Sequence, residues 1–144
     1  MKQESIALSP VDKVLCLQRV DVFKHATTEM LAYIGSIAHE VNAAHGEIIF
    51  TEDDISDAMY VIVSGRVQLD KSGAHILTAG PGDSFGTWAL FDKQPRLMTA
   101  TVLEDVHVLR IHSEEFYDLL SDHDEITPAI FKAVIERVSR LIAE

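Results

Sequence analysis

The chain has 144 residues, 47% hydrophobic and 24% charged, which suits one domain with its own buried core. Its formal net charge is −11 and no two Lys or Arg residues are adjacent, which excludes the clustered basic surface needed to grip a phosphate backbone. The lone cysteine, Cys16, forms no internal disulfide, and the longest apolar run, residues 58–63, is far shorter than the about 20 residues of a bilayer span. A cytoplasmic setting follows as the expectation. Residues 1–7 carry Lys2 but no apolar stretch behind it, so no secretory leader is read there.

Residues 9–39 read as helical. Ser9-Pro10 is a helix start, a capping hydroxyl followed by a proline that fits the first turn. Val14, Leu15, Leu17 and Val20 give an apolar face, and residues 21–25 break it. A second helix follows with Thr27 or Thr28 as cap and Met30, Leu31, Ile34 and Ile37 at helical spacing. Residues 40–111 read as β. Met59 to Val63 forms a β-branched and aromatic strand, Ser64-Gly65 a turn, and Arg66 to Leu69 the next strand. Lys71-Ser72-Gly73 is a hairpin loop before the strand at 75–78, and Gly80-Pro81-Gly82-Asp83 is dense turn chemistry. Residues 99–102 and 106–111 complete the series, whose spacing predicts a sandwich or barrel.

Residues 113–143 return to helix. Ser113-Glu114-Glu115-Phe116 has the form of a capping-box start, and Pro128 is placed to open a last helix. Along that helix Ile130, Phe131, Val134, Ile135, Val138, Leu141 and Ile142 recur at three and four. The predicted class is α+β: a mainly-β jelly-roll or β-roll (double-stranded β-helix) flanked by N-terminal and C-terminal helices, one domain over residues 1–144.

Several local patterns, in order, carry a resemblance. They are Gly46-Glu47-Ile48-Ile49-Phe50 with the acidic turn at 51–54, then Tyr60 to Val67 through Ser64-Gly65. Gly80-Pro81-Gly82-Asp83-Ser84-Phe85-Gly86 and residues 89–96 follow, then Leu103-Glu104-Asp105 and Phe116 to Leu120. Together they resemble the cyclic nucleotide-binding domain over roughly residues 10–142. The resemblance implies a regulatory domain, not an enzyme, with cyclic AMP as its ligand and no other cofactor.

The resemblance places a phosphate-binding cassette at Phe85-Gly86 and residues 89–96. A short helix after a glycine turn offers free backbone N–H groups to a cyclic phosphate, and Arg96 sits at the family's arginine position after Pro95. Two positions depart from the pattern. The glutamate that takes the sugar 2′-hydroxyl is replaced by Thr87, a loss worth on the order of 1.5–3 kcal/mol, or about 10- to 150-fold in affinity. The two small residues after the arginine are Leu97 and Met98, which either block the phosphate or point into the core. A hydroxyl, which a guanine-preferring member would carry, is missing at Leu97.

The candidate ligand residues are thus Gly86, Thr87, Trp88, Ala89, Arg96, Leu97 and Met98. Two readings stay open for Arg96, a phosphate contact or a structural salt bridge, and two for Trp88, a pocket wall or core packing. Seven histidines are scattered without a His-x-His, so no metal site is read, and no nucleophile or nucleotide-fold motif suggests catalysis. Cys16 reads as a buried, inert thiol on an apolar helix face.

Two functions remain. One is a regulatory domain that senses cyclic AMP weakly or not at all, its last helix signalling to a partner; another small anion held by Arg96 is a variant of this. The alternative is a ligand-independent docking module with a degenerate pocket, its last helix meeting a second copy or a fused or partner domain. No helix-turn-helix follows that helix in this sequence, so no direct nucleic-acid reading is expected of these residues.

Overall fold

The structure is a computed structural model that describes residues 7–143. The expectation about a leader therefore lies, apart from Ala7, outside the described residues. Helix α1 (Pro10–Leu17) begins as its sequence demands. The Ser9 hydroxyl accepts from the Asp12 N–H while the Asp12 carboxylate accepts from the Ser9 N–H, a complete capping box with Pro10 in the first turn. The break after α1 is a 3-10 turn, Asp21–Phe23, that buries Val22 and Phe23. Helix α2 (Thr28–Ser36) is capped by Thr27, whose hydroxyl accepts from Met30 N–H at 3.2 Å.

The helical zone ends earlier than 39. Strand β1 (Ala38–Ala43) starts inside it, because Ala38 pairs with Ile111 and His39 with Arg110 in an antiparallel ladder. That long-range pairing outweighs a weak local preference. The remaining strands are β2 (Ile48–Phe50), β3 (Ala58–Lys71), β4 (Ala74–Ala79), β5 (Ser84–Phe85) and β6 (Thr99–His112). They run β1-β6-β3-β4 across one antiparallel six-stranded sheet, with β2 also on β6 and β5 also on β3. The β-roll flanked by helices is the architecture expected, though its strands extend from Ala38 to His112 rather than from 40 to 111.

Two corrections concern turns. Ser64-Gly65 does not end a strand. β3 passes through it as one 14-residue strand with register shifts against β6 between Ile62 and Val67, and Gly65 takes φ 90°. Residues 99–102 and 106–111 are likewise one strand, β6. The extra residues are absorbed as bulges that curl the sheet into a roll, so local turn chemistry becomes a bend.

Two more concern helix starts. Helix α3 (Ser113–Asp122) is preceded by His112 at the N-cap, which makes no side-chain cap bond, so the expected Ser113 capping box is absent. Ser113 is instead buried, its N–H donating to Asp57 O at 2.9 Å. Helix α4 (Ile126–Ala143) starts two residues before Pro128, which a first turn tolerates because the N–H that proline lacks would have no intrahelical acceptor there.

The core has two halves separated by the sheet. Tyr60, Ile62, Val67, Phe85, Val102 and Val108 pack inside the roll. Met59, Val61, Leu109 and Ile111, alternating with them, meet Leu17, Phe23, Ile34, Phe116 and Ile126 of the helical layer. The unbroken apolar run 58–63 is therefore a strand buried on both faces. No helix among the described residues is long and apolar enough to cross a membrane.

Candidate functional site

The site grows from the outer end of β5. Antiparallel pairing of Tyr60 with Phe85 carries the chain to Gly86, which takes the left-handed conformation (φ 69°) and caps a 3-10 turn, Thr87–Leu90. The second wall is the loop back to β6. Its backbone is fixed at Arg96, whose N–H donates to Asp54 O at 2.8 Å and whose carbonyl accepts from Asp53 N–H at 2.9 Å.

The Arg96 side chain turns inward, leaving the residue only 5% exposed. Its Nη2 donates to Ala58 O at 2.7 Å, and its guanidinium lies 4.0 Å from the centre of the Phe50 ring. Asp57 Oδ1 is 3.6 Å from Nη2, an ion pair with a largely exposed carboxylate. Nε is buried without any partner. Burial pulls the guanidinium below its ordinary pKa, with Tyr60, Asp57 and Asp54 opposing. Gly86 and Arg96 are fitted to each other: a Cβ on Gly86 would sit 2.7 Å from Arg96 Nη1 and 3.3 Å from Ala58 O.

A cavity of about 510 Å³ opens over this pair, within the range of small-ligand sites. All seven candidate residues line it. Gly86 and buried Ala89 form its floor at the 3-10 turn. Half-buried Thr87 lies beside Ser84, their hydroxyl oxygens 3.4 Å apart. Leu97 is 67% exposed at the rim, and Met98 is partly buried against the roll interior, so the cavity stays open. Trp88 is 48% exposed, which corrects the core-packing alternative: its ring is a wall.

Sequence reasoning missed Arg137. It reaches the cavity from α4 and sits 5.2 Å from the Trp88 ring centre. No local motif marks it, because only the fold brings α4 to the mouth. Phe50 and Ser84, both inside the quoted patterns, also line the cavity. Among the described residues no group of three or more His, Cys, Asp or Glu is placed to hold a metal ion. Cys16 is partly exposed rather than buried, and desolvation raises its thiol pKa.

Helix α4 is tied to the 3-10 turn at Asp21–Phe23 by charge. Glu136 accepts from His25 and lies 3.5 Å from Lys24, and Arg140 lies 3.7 Å from Asp21. The His25 hydrogen bond lowers the Glu136 carboxyl below its ordinary value. A depressed folded-state pKa stabilises above the unfolded value, about 4.3, and that stabilisation is lost as pH falls through the lower folded value. Acid unfolding of Glu136→Gln is therefore expected to depend less on pH between about 3 and 5 than that of the parent chain. Parallel acid titrations followed by circular dichroism check this, and identical curves would contradict it.

The glycine-capped turn and the buried arginine thus face one cavity of the β-roll. The family model for the cyclic nucleotide-binding domain matches residues 40–123, and the chain belongs to that family. It is 26% identical over 129 residues to the CRP-like cAMP-activated global transcriptional regulator of Mycobacterium tuberculosis, covering 86% of this chain and 58% of that protein. The chain thus spans less than two thirds of that relative. It is similar to the solved N-terminal domain of a transcriptional regulator from Streptomyces coelicolor, with TM-score 0.83, 28% identity and coverage of 88% of this chain and 94% of that one. The regulatory domain of Toxoplasma gondii PKA, solved with cAMP, superposes with TM-score 0.75 at 15% identity over 91% of this chain and 50% of that chain, a likeness of fold.

Proposed function

We propose that this chain is a regulatory domain that binds a cyclic nucleotide, cyclic AMP ahead of cyclic GMP, in the cavity between the 3-10 turn at Thr87–Leu90 and Arg96. The carrying observation is Arg96 itself. It is a buried cation with an unpartnered Nε, on the wall of an open cavity, against the glycine turn. Its Nη1 faces the glycine turn, so an anion seated there meets a charged donor already in place. Thr87 and Trp88 open the 3-10 turn, so their N–H groups have no intrahelical acceptor and add to the phosphate site.

Affinity is modest in this reading. Thr87 offers the sugar one neutral hydroxyl where the family resemblance implies a carboxylate. Leu97 offers no hydroxyl to a guanine. The ligand's effect passes to α4 through Trp88 and Arg137, and requires only that ligand bind one placement of α4 better than another. The domain performs no catalysis and works in the cytoplasm. Calorimetric titration is expected to give cyclic AMP binding at about 10–1,000 μM, with cyclic GMP weaker. No heat from either up to millimolar would overturn the proposal.

A second reading rests on a different surface. Phe131, Ile135, Val138, Leu141 and Ile142 on α4 are 42–79% exposed, a row of large apolar side chains. This supports α4 as a docking face for a second copy of the chain or a fused domain. If docking were the whole function, the protein would self-associate, or pair with a fused domain, without responding to cyclic nucleotide.

A further inference from the structure

Beside the Arg96 cavity lies a second recess of about 530 Å³, between the end of α1, the turn at 80–83 and α4. Leu77, Ser84 and Arg137 line both hollows, so the two adjoin. Each alone falls in the about 300–1,000 Å³ range of small-molecule sites, and together they reach its upper end.

The recess is unusual in charge. Arg19, Arg137 and Arg140 line it, a quarter of the 12 basic residues in a chain of net charge −11. Its acids are Asp21 and Asp83. Asp21 is engaged by Lys24 and Arg140, each at 3.7 Å, and Asp83 accepts from the Gly80 N–H at 2.8 Å. Among the described residues Arg19 and Arg137 face the recess with no carboxylate partner, and Arg137 lies against the Trp88 ring. The guanidinium of Arg19 lies directly over Gly82, where a Cβ would be 2.6 Å from its Cζ. Glycine at that turn is what lets the cation lie there.

We infer that the recess is a second anion subsite, so that the chain takes an extended nucleotide with two phosphates, one at Arg96 and one at Arg19 and Arg137. This rests on the reading of the Arg96 cavity given above and deepens it. Two anionic groups on one ligand match two separated guanidinium sites joined by an apolar and hydroxyl-bearing floor, Leu77 and Ser84. A cyclic mononucleotide, with one phosphate, engages only the first.

The test compares cyclic AMP with the linear dinucleotide pApA by calorimetry, on the parent chain and on Arg19→Gln. The Arg19 side chain makes no hydrogen bond or ion pair among the described residues, so this variant removes charge without a folding cost. The expected result is that pApA binds about tenfold more tightly than cyclic AMP, and that Arg19→Gln removes this gain while leaving cyclic AMP within about twofold. If cyclic AMP binds but pApA gains nothing, or its gain survives Arg19→Gln, the second subsite is refuted and the Arg96 cavity stands. If neither ligand binds the parent chain, both readings fall.

Discussion

Gly65→Ala is expected to destabilise the chain by about 3–5 kcal/mol, a large share of the about 5–15 kcal/mol that holds a domain together. Two costs add. Gly65 has φ 90°, where an L side chain is strained by about 1–2 kcal/mol. A Cβ there would also press into the facing strand, against the Asp105 carbonyl oxygen and 2.7 Å from Val106 Cγ1. Both neighbours belong to β6, and backbone held in a paired ladder cannot move aside cheaply. Gly46→Ala separates the two costs, because Gly46 has nearly the same φ, 89°, but nothing within 4 Å of a built Cβ. Urea unfolding should show only the strain for Gly46→Ala and the full loss for Gly65→Ala. Equal losses would mean that close strand approach is not what the glycine permits.

The second large effect is a gain. Thr87→Glu should tighten cyclic AMP binding by about 10- to 150-fold, the worth of one charge-assisted hydrogen bond of about 1.5–3 kcal/mol. Thr87 is half-buried on the cavity wall one residue from Gly86, so a longer side chain has open volume to enter. Thr87→Gln, of the same length but neutral, is the control and should recover only part of the gain. Calorimetry on the three proteins reads the result. Affinity unchanged or weakened in Thr87→Glu would place the sugar elsewhere.

The architecture was largely legible in the chain because its signals are local. Ser9-Pro10, Thr27 and the glycine turns are short-range chemistry, and each sits where its sequence put it, Gly65 apart. Gly65 reads as a strand end because a glycine after a β-branched run usually is one; here pairing with β6 carries the strand through. Ser113 and Ala38 were misread for the same reason, long-range partners in Asp57 and Ile111 overriding a local preference.

The candidate site divides along that line. Gly86 and Arg96 lie in quoted patterns and Thr87 directly follows one, and the fold gathers all three around one cavity. The Arg96 environment was not legible: the Phe50 face, the Ala58 carbonyl and Asp57 lie 38–46 residues away in sequence and meet it only through the roll. Arg137 is equally distant on the other side, on a helix whose sequence advertises only an apolar stripe. Leu97 and Trp88 both stand out from the core, which the sequence had left open.

The most direct test of the central claim is thermal unfolding of the parent chain and of Arg96→Met, each with and without millimolar cyclic AMP. Methionine keeps much of the buried volume and removes the charge, so the variant should fold, its apo stability near the parent's. A ligand that binds only the folded state stabilises it by RT ln(1 + [L]/Kd), about 2.7 kcal/mol at a hundredfold excess over Kd. The account predicts an upward shift of the parent's midpoint with cyclic AMP and none for Arg96→Met. An equal shift in both, or no shift in the parent, would contradict it.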